Sequence, residues 1–294
     1  MATSGLRRFT YSATRDQPLE ASAERAAAHD FGAVEFNADL PPNSPDQWED
    51  ARSAAFRDFC SEHHLAAGIH TSSAVNNAEV VPVVGDSVEA YLLQNVELAD
   101  RLDCGYVIVH GGYHFGDRER RREAALRLLE RVVPVAEQLG ISLWFENHNA
   151  EPDLAEIHYQ PRDADETAWF LDRLPAATVR WAFNVAHAHL VPEGIHGFLD
   201  RFGVGRLAQV RLNDNPGTHE VHLVPGEGTI DFEPVFRRLG QLGYQGPFSL
   251  DFGTDDDKLR VRDDFAALLR HIPATRPAVY GWSARKKSRG RKLP

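Results

Sequence analysis

Six apolar runs in this chain stop on a residue that can ionise, chelate or hydrogen-bond. They are His70 after AAGI, His110 after YVIV, Glu146 after SLWF, Asn184 after RWAF, Arg211 after LAQV and Asp251 after PFSL. Carboxylates accept protons, imidazoles pass them on, and a guanidinium offsets developing negative charge. One such residue means little, because strand ends are often polar and a single histidine there is more often a hydrogen-bonded core group than a ligand. Six at equivalent places say more, since buried charge is costly unless it is paired or used. Two further candidates follow Arg211: Asp214 in LNDN, and His222 beside Glu220 in the turn that runs into PGEG.

What must position these groups is a set of short strands. LRRFTYS, GAVEFN, AAGIHT, GYVIVHGG, ISLWFENH, VRWAFNVAH, LAQVRLND and PFSLDFG are eight such runs, spaced so that one amphipathic segment fits after each. The segment DSVEAYLLQNVELADRLDCG offers Asp86-Ser87 as an N-cap. RERRREAALRLLERVVPVAEQLG reaches Gly140 and tolerates Pro134 at the cost of a kink. Eight strand–helix units predict an α/β fold, a (β/α)8 TIM barrel, with the active site at the C-terminal ends of the strands. A doubly wound sheet would want a glycine-rich phosphate loop after its first strand, and none is present. Residues 1–280 are expected to form one barrel domain, and 281–294 a basic, solvated tail.

Composition narrows the function classes. Hydrophobic residues make up 43% of the chain, enough for a large core. The cysteines, Cys60 and Cys104, are too few for a disulfide framework, so a cytoplasmic location is the default. No apolar run approaches the roughly 20 residues of a membrane span. Net charge is −11 although SARKKSRGRKLP at the C-terminus holds six basic residues, so the rest is more acidic still. Such a body repels phosphate backbones and argues against nucleic acid as a partner. A small-molecule substrate is expected; a homo-oligomer is left open.

The runs FENHN, NVAHAH, VRLNDNPG…HLVPGEGTIDF and LGYQGPFSLDFG resemble the xylose-isomerase-like barrels, over about residues 6–272. That superfamily holds sugar isomerases, sugar 3-epimerases, related dehydratases and a group of abasic-site endonucleases. The resemblance implies a divalent metal held by Glu, Asp, His and Glu on the fifth to eighth strands. The matching residues here are Glu146, Asn184, Arg211 and Asp251, and only Glu146 is unchanged. Asn184 keeps a carbonyl oxygen, Asp251 is a shortened carboxylate, and Arg211 has no lone pair to offer a metal. In charge, Arg211 stands where the ion would be. It is expected to pair with Glu146 or Asp251 when the site is empty and to face a substrate oxygen when it is occupied. His187 falls where the family places a substrate-contacting histidine. His70 and His110 match extra zinc ligands of the endonucleases, but other ligands of that group are missing, so both read as substrate contacts. Glu151 and Glu156 follow the fifth strand, where epimerases place a second acid–base carboxylate; either could equally be a surface charge.

The expected function is therefore an isomerase or epimerase acting on a sugar, polyol or related hydroxy-carbonyl compound. Glu146 is the first candidate base and Asp251 the second, with Arg211 at the oxyanion and His187 moving hydroxyl protons. His70, His110, Asn184, Glu151, Glu156, Asp214 and His222 would contact substrate. No cofactor is expected. The alternative is one divalent ion (Mn, Mg, Co or Zn) held by Glu146, Asp251 and a histidine, His187 first. A lyase or dehydratase working through the same enediolate is the close rival. An inactive ligand-binding barrel, with Arg211 in a mere salt bridge, is the distant one.

Overall fold

The computed structural model describes residues 3–271 of the 294. The expected basic tail lies outside them. Eight parallel strands close into a barrel: β1 (Phe9–Ser12), β2 (Ala33–Phe36), β3 (Ala66–His70), β4 (Tyr106–Val109), β6 (Ser142–Glu146), β8 (Val179–Asn184), β9 (Leu207–Leu212) and β10 (Phe248–Leu250). Phe9 pairs with Phe248, which joins the last strand to the first. A short α1 (Thr3–Leu6) precedes the first strand, and helices follow the strands, among them α2 (Leu19–Ala28), α3 (Asp50–Glu62), α4 (Pro82–Arg101), α5 (Arg118–Leu139), α6 (Ala164–Leu171), α7 (Val185–His189), α8 (Gly194–Phe202), α9 (Phe232–Gln241) and α10 (Asp255–Arg270). The strands are buried on both faces, one against the helices and one toward the axis, which is why they read as unbroken apolar runs.

Alternate residues of a strand share a face. Tyr106, Ile108 and then His110 therefore climb the barrel interior, as do Trp144 and Glu146, Ala182 and Asn184, and Gln209 and Arg211. The lower part of this stack is apolar and tightly filled. The rings of Tyr106 and Trp144 lie parallel with centroids 3.5 Å apart. Gly68 makes the room for them, since a Cβ there would sit 2.1 Å from the Tyr106 ring. The floor of the site thus rests on packed rings.

One helix end differs from the sequence expectation and another agrees with it. α4 starts at Pro82 with Val81 as its N-cap, four residues ahead of Asp86. Proline's fixed φ suits a first helical turn and its missing N–H costs nothing there. α5 keeps Pro134 inside one continuous helix and ends at Gly140, whose φ of 64° is left-handed. A further sheet has no counterpart in the sequence reading: β5 (Tyr113–His114) pairs antiparallel with β7 (His158–Tyr159), joining the loops that follow β4 and β6.

Candidate active site

Arg211 is the centre of the floor. Its side chain is 1% exposed, and its donors are shared among four strands. Nη1 donates to Glu35 Oε1 at 2.6 Å and to Gln209 Oε1 at 3.0 Å, while Nη2 donates to Asp251 Oδ2 at 3.0 Å. Nε lies 3.4 Å from Glu146 Oε2. Glu35 is anchored from below by the Tyr106 hydroxyl at 2.9 Å and the Gln209 amide at 3.3 Å. Burial alone would lower the Arg211 pKa, but Glu35, Glu146 and Asp251 outweigh it and raise the pKa. The guanidinium is a permanent cation.

That cation fixes the states of its neighbours. Burial would raise the Glu146 pKa, yet the charge of Arg211, with His70 and His110, holds it well below the usual carboxylate range. Asp251 is lowered for the same reason, with His222 adding to Arg211. Both are ionised at neutral pH. Arg211 Nη2 lies 3.1 Å from His70 Nδ1, so that nitrogen is the acceptor and the His70 proton sits on Nε2. His70 Nε2 in turn faces Glu146 Oε2 at 3.3 Å and His110 Nε2 at 3.2 Å. His110 Nε2 also meets the Thr71 carbonyl at 3.1 Å, and its Nδ1 meets His148 Nε2 at 3.2 Å. Burial pushes the His110 pKa down to about 3 and His148 well below normal, so both are neutral.

The second wall is built by the loop after β9. Asp214 is fully buried and accepts four backbone N–H groups, from Asn215, Gly226, Gly228 and Ile230, at 2.8–3.1 Å. This folds the PGEG turn back toward the barrel and sets Glu220 and His222 at the mouth. His222 Nδ1 donates to the Asp251 carbonyl at 2.8 Å, and Nε2 lies 3.3 Å from Glu220 Oε1. His187 has the same arrangement: Nδ1 donates to the Asn147 carbonyl at 2.7 Å and Nε2 lies 3.5 Å from Glu220 Oε1. Partial desolvation would lower the His222 pKa, but Glu220 and Asp251 together raise it to about 9. His187 is raised as well, burial being outweighed mainly by Glu220.

The cavity between these walls has a volume of about 230 Å³. That is slightly under the range for drug-sized ligands and suits a small polar molecule. Of the residues singled out from sequence, Glu146, Asp251, His187, His70, His110 and His222 line it together. The others lie outside that lining. Arg211 lies beneath the lining with Nη1 and Nη2 committed to protein acceptors; it pairs with Asp251 at 3.0 Å and Glu146 at 3.4 Å as expected, and with Glu35 more closely still. Asn184 holds Glu146 Oε1 through its amide at 2.9 Å, and its oxygen caps α7 by accepting from His187 N at 3.1 Å. Asp214 is saturated by its own loop. Glu151 accepts from the Asn149 amide and the Tyr159 N–H and stays within its loop. Glu156 is exposed and outside the cavity. Reading the strand ends missed Glu35, His148 and Glu220. Glu35 carried a signal nonetheless: a carboxylate within the apolar run AVEF must have a buried partner.

A divalent ion at the ends of the fifth to eighth barrel strands does not fit these residues. The guanidinium already lies among the three carboxylates, and Asn184 turns its amide N–H, not its oxygen, toward Glu146. Nor do Glu146, Asp251 and His187 gather as one ligand set. The donors group differently, as His70, His110 and Glu146, and as His187, Glu220 and His222, each set with ligand atoms within 4.8 Å of one another. No helix among the described residues is long and apolar enough to cross a membrane.

This closed barrel, with its polar mouth, belongs to the xylose isomerase-like TIM barrel family, whose profile matches residues 23–272. The chain is 25% identical over 258 residues to an uncharacterized protein of Methanocaldococcus jannaschii, spanning 84% of this chain and 83% of that one. It is 22% identical over 183 residues to the fructoselysine 3-epimerase of Shigella flexneri, spanning 59% of this chain and 64% of the relative. Among solved structures, a D-tagatose 3-epimerase-like protein superposes with a TM-score of 0.75 at 20% identity, covering 89% of this chain and 97% of that one. D-psicose 3-epimerase from Clostridium cellulolyticum H10 superposes with a TM-score of 0.71 at 16% identity, covering 90% and 98%.

Proposed function

We propose that this protein is a sugar isomerase or epimerase that moves a proton on a carbon next to a carbonyl, and that Arg211 replaces the divalent ion of its relatives. The observation that carries this reading is the buried guanidinium of Arg211, ringed by Glu35, Glu146 and Asp251 where an ion would be held. Sugar 3-epimerases among the relatives support the reaction class. Glu146 and Asp251 are ionised and open to the cavity, so each is in the form that accepts a proton. Arg211 acts through them as a positioning residue, holding both carboxylates ionised and in place. Its positive field also favours an enediolate above the floor. His187, with Nδ1 pinned and Nε2 toward the cavity, would exchange hydroxyl protons.

A second reading has its own observation. Both oxygens of Glu220 are shielded from solvent without a well-formed hydrogen bond, and His187 and His222 face them. That set could hold a transition ion at the mouth, away from the floor. One experiment separates the readings. The purified protein is assayed for bound metal, then incubated with a panel of ketoses and aldoses in deuterated water before and after chelation. Deuterium next to the carbonyl, unaffected by chelator, supports the metal-free isomerase. Loss on chelation and rescue by added metal favours the ion. No exchange with any sugar returns the barrel to a binding role.

A further inference from the structure

We propose that Arg15 receives a terminal anionic group, a carboxylate or a phosphate, on the sugar that occupies the cavity. This rests on the isomerase or epimerase reading above and narrows its substrate class.

The argument is one of charge pairing inside the cavity. Its lining carboxylates are Glu35, Glu146, Asp251 and Glu220. The first three are met by Arg211, and Glu220 is met by His187 and His222. Among the described residues that line the cavity, Arg15 is the one lysine or arginine; it forms neither a hydrogen bond nor an ion pair with the described residues, its charge acting only at longer range on the Tyr91 hydroxyl. The adjacent Asp16 does not engage it. Asp39, on the same side, is held by the Tyr91 hydroxyl at 2.6 Å.

Position supports the same conclusion. Arg15 sits on the loop between β1 and α2, exposed at the rim, while Glu146 and the floor lie at the buried end. A ligand with its reacting carbons over Glu146 and Asp251 would direct its far end toward that rim. Guanidinium presents a planar fork of donors that matches carboxylate and phosphate in two parallel hydrogen bonds. A body of net charge −11 otherwise repels anions, so a substrate of that kind needs such a local cation at the entrance. Ser73 lines the same cavity, and its hydroxyl forms no hydrogen bond among the described residues.

The test is equilibrium binding by calorimetry to the full chain. The ligands are a ketohexose, its 6-phosphate, its 6-carboxylate and inorganic phosphate. The proteins are the parent, Arg15→Gln and Arg15→Lys. We expect at least one charged ketose to bind the parent roughly ten-fold or more tightly than the neutral sugar. Arg15→Gln should abolish that advantage and leave neutral binding unchanged, while Arg15→Lys keeps part of it. The phosphate and carboxylate arms tell which anion is preferred, and free phosphate tells whether the sugar must accompany it. Equal binding of neutral and charged ketoses by the parent overturns the proposal, as does an advantage that survives Arg15→Gln. Binding is read without turnover. An anion preference with no deuterium exchange therefore defeats the isomerase reading alone, and exchange without a preference defeats this inference alone.

Discussion

Arg211 makes opposite demands on stability at different pH, and this gives its role a measurable sign. In the parent, Glu146 and Asp251 have folded pKa values below their unfolded values. Their contribution is present above about pH 4 and is lost as pH falls through the lowered values. Arg211→Ala leaves Glu35, Glu146 and Asp251 facing one another with no cation, which raises the pKa of at least one of them. Breaking a buried pair in this way should cost about 3–5 kcal/mol near neutrality. The deficit should shrink as pH falls toward 4, because a protonated carboxylate no longer needs the cation. Melting temperatures of the two proteins between pH 4 and 8 check this; a deficit independent of pH would mean Arg211 contributes packing alone. Glu146→Gln keeps the shape and Asn184's neighbourhood. It should retain the fold and lose roughly 10²–10⁴-fold in turnover if Glu146 is the base. Near-normal turnover would transfer the role to Asp251.

At the scale of elements, the loop after β9 is attached by one permanent device and one titratable device. Asp214 is the permanent one. Asp214→Asn replaces an acceptor oxygen with a donor facing backbone N–H groups and should cost about 1–3 kcal/mol. It should also release Glu220 and His222 from the mouth, read as faster amide exchange across residues 220–230. His222 is the titratable one, with its pKa raised to about 9. A raised histidine stabilises fully below its unfolded pKa and loses that contribution as pH rises through the folded value. The loop should therefore hold at pH 7 and loosen above about pH 9, with the His222 ring resonances in an NMR titration reporting the midpoint. A midpoint near 6.5 would mean that Glu220 and Asp251 do not act on it. The same elements explain what could be read from sequence. Barrel strands were legible because burial on both faces leaves an apolar run with a polar end, and four of those ends, His70, His110, Glu146 and Asp251, line the cavity. β5 and β7 were not, since two residues carry no period. Glu35 lies within its run rather than at its end. His148 and Glu220 reach the cavity only through loops set by distant hydrogen bonds. Asp214 stood in a site-like position, but its loop consumes all its acceptor capacity, which only the folded turn reveals.

At the scale of the whole barrel, the floor is one cross-barrel ion cluster: Glu35 from β2, Glu146 from β6, Arg211 from β9 and Asp251 just after β10. If the guanidinium has taken an ion's place, the exchange should be reversible by substitution. Asn184→Asp, Arg211→His and Asp251→Glu together recreate the ligand types that the family resemblance implies. The structure adds a requirement: Arg211→His removes the closest partner of Glu35, which is 1% exposed and would be left charged and unpaired. Glu35→Gln should remove that cost, because its amide can still accept from Tyr106. We expect the fourfold variant to be the more stable of the two without metal and to bind Mn²⁺ or Co²⁺ measurably by calorimetry, with loss of binding on adding Glu146→Gln. Activity is not required of it, since a misplacement of about 1 Å ruins orientation. Two results would defeat the charge-exchange argument. One is a threefold variant as stable as the fourfold one, which would mean that Glu35 does not depend on Arg211. The other is a parent that binds the ion as tightly and loses it on Glu146→Gln, because an ion and the guanidinium cannot both be held among these carboxylates.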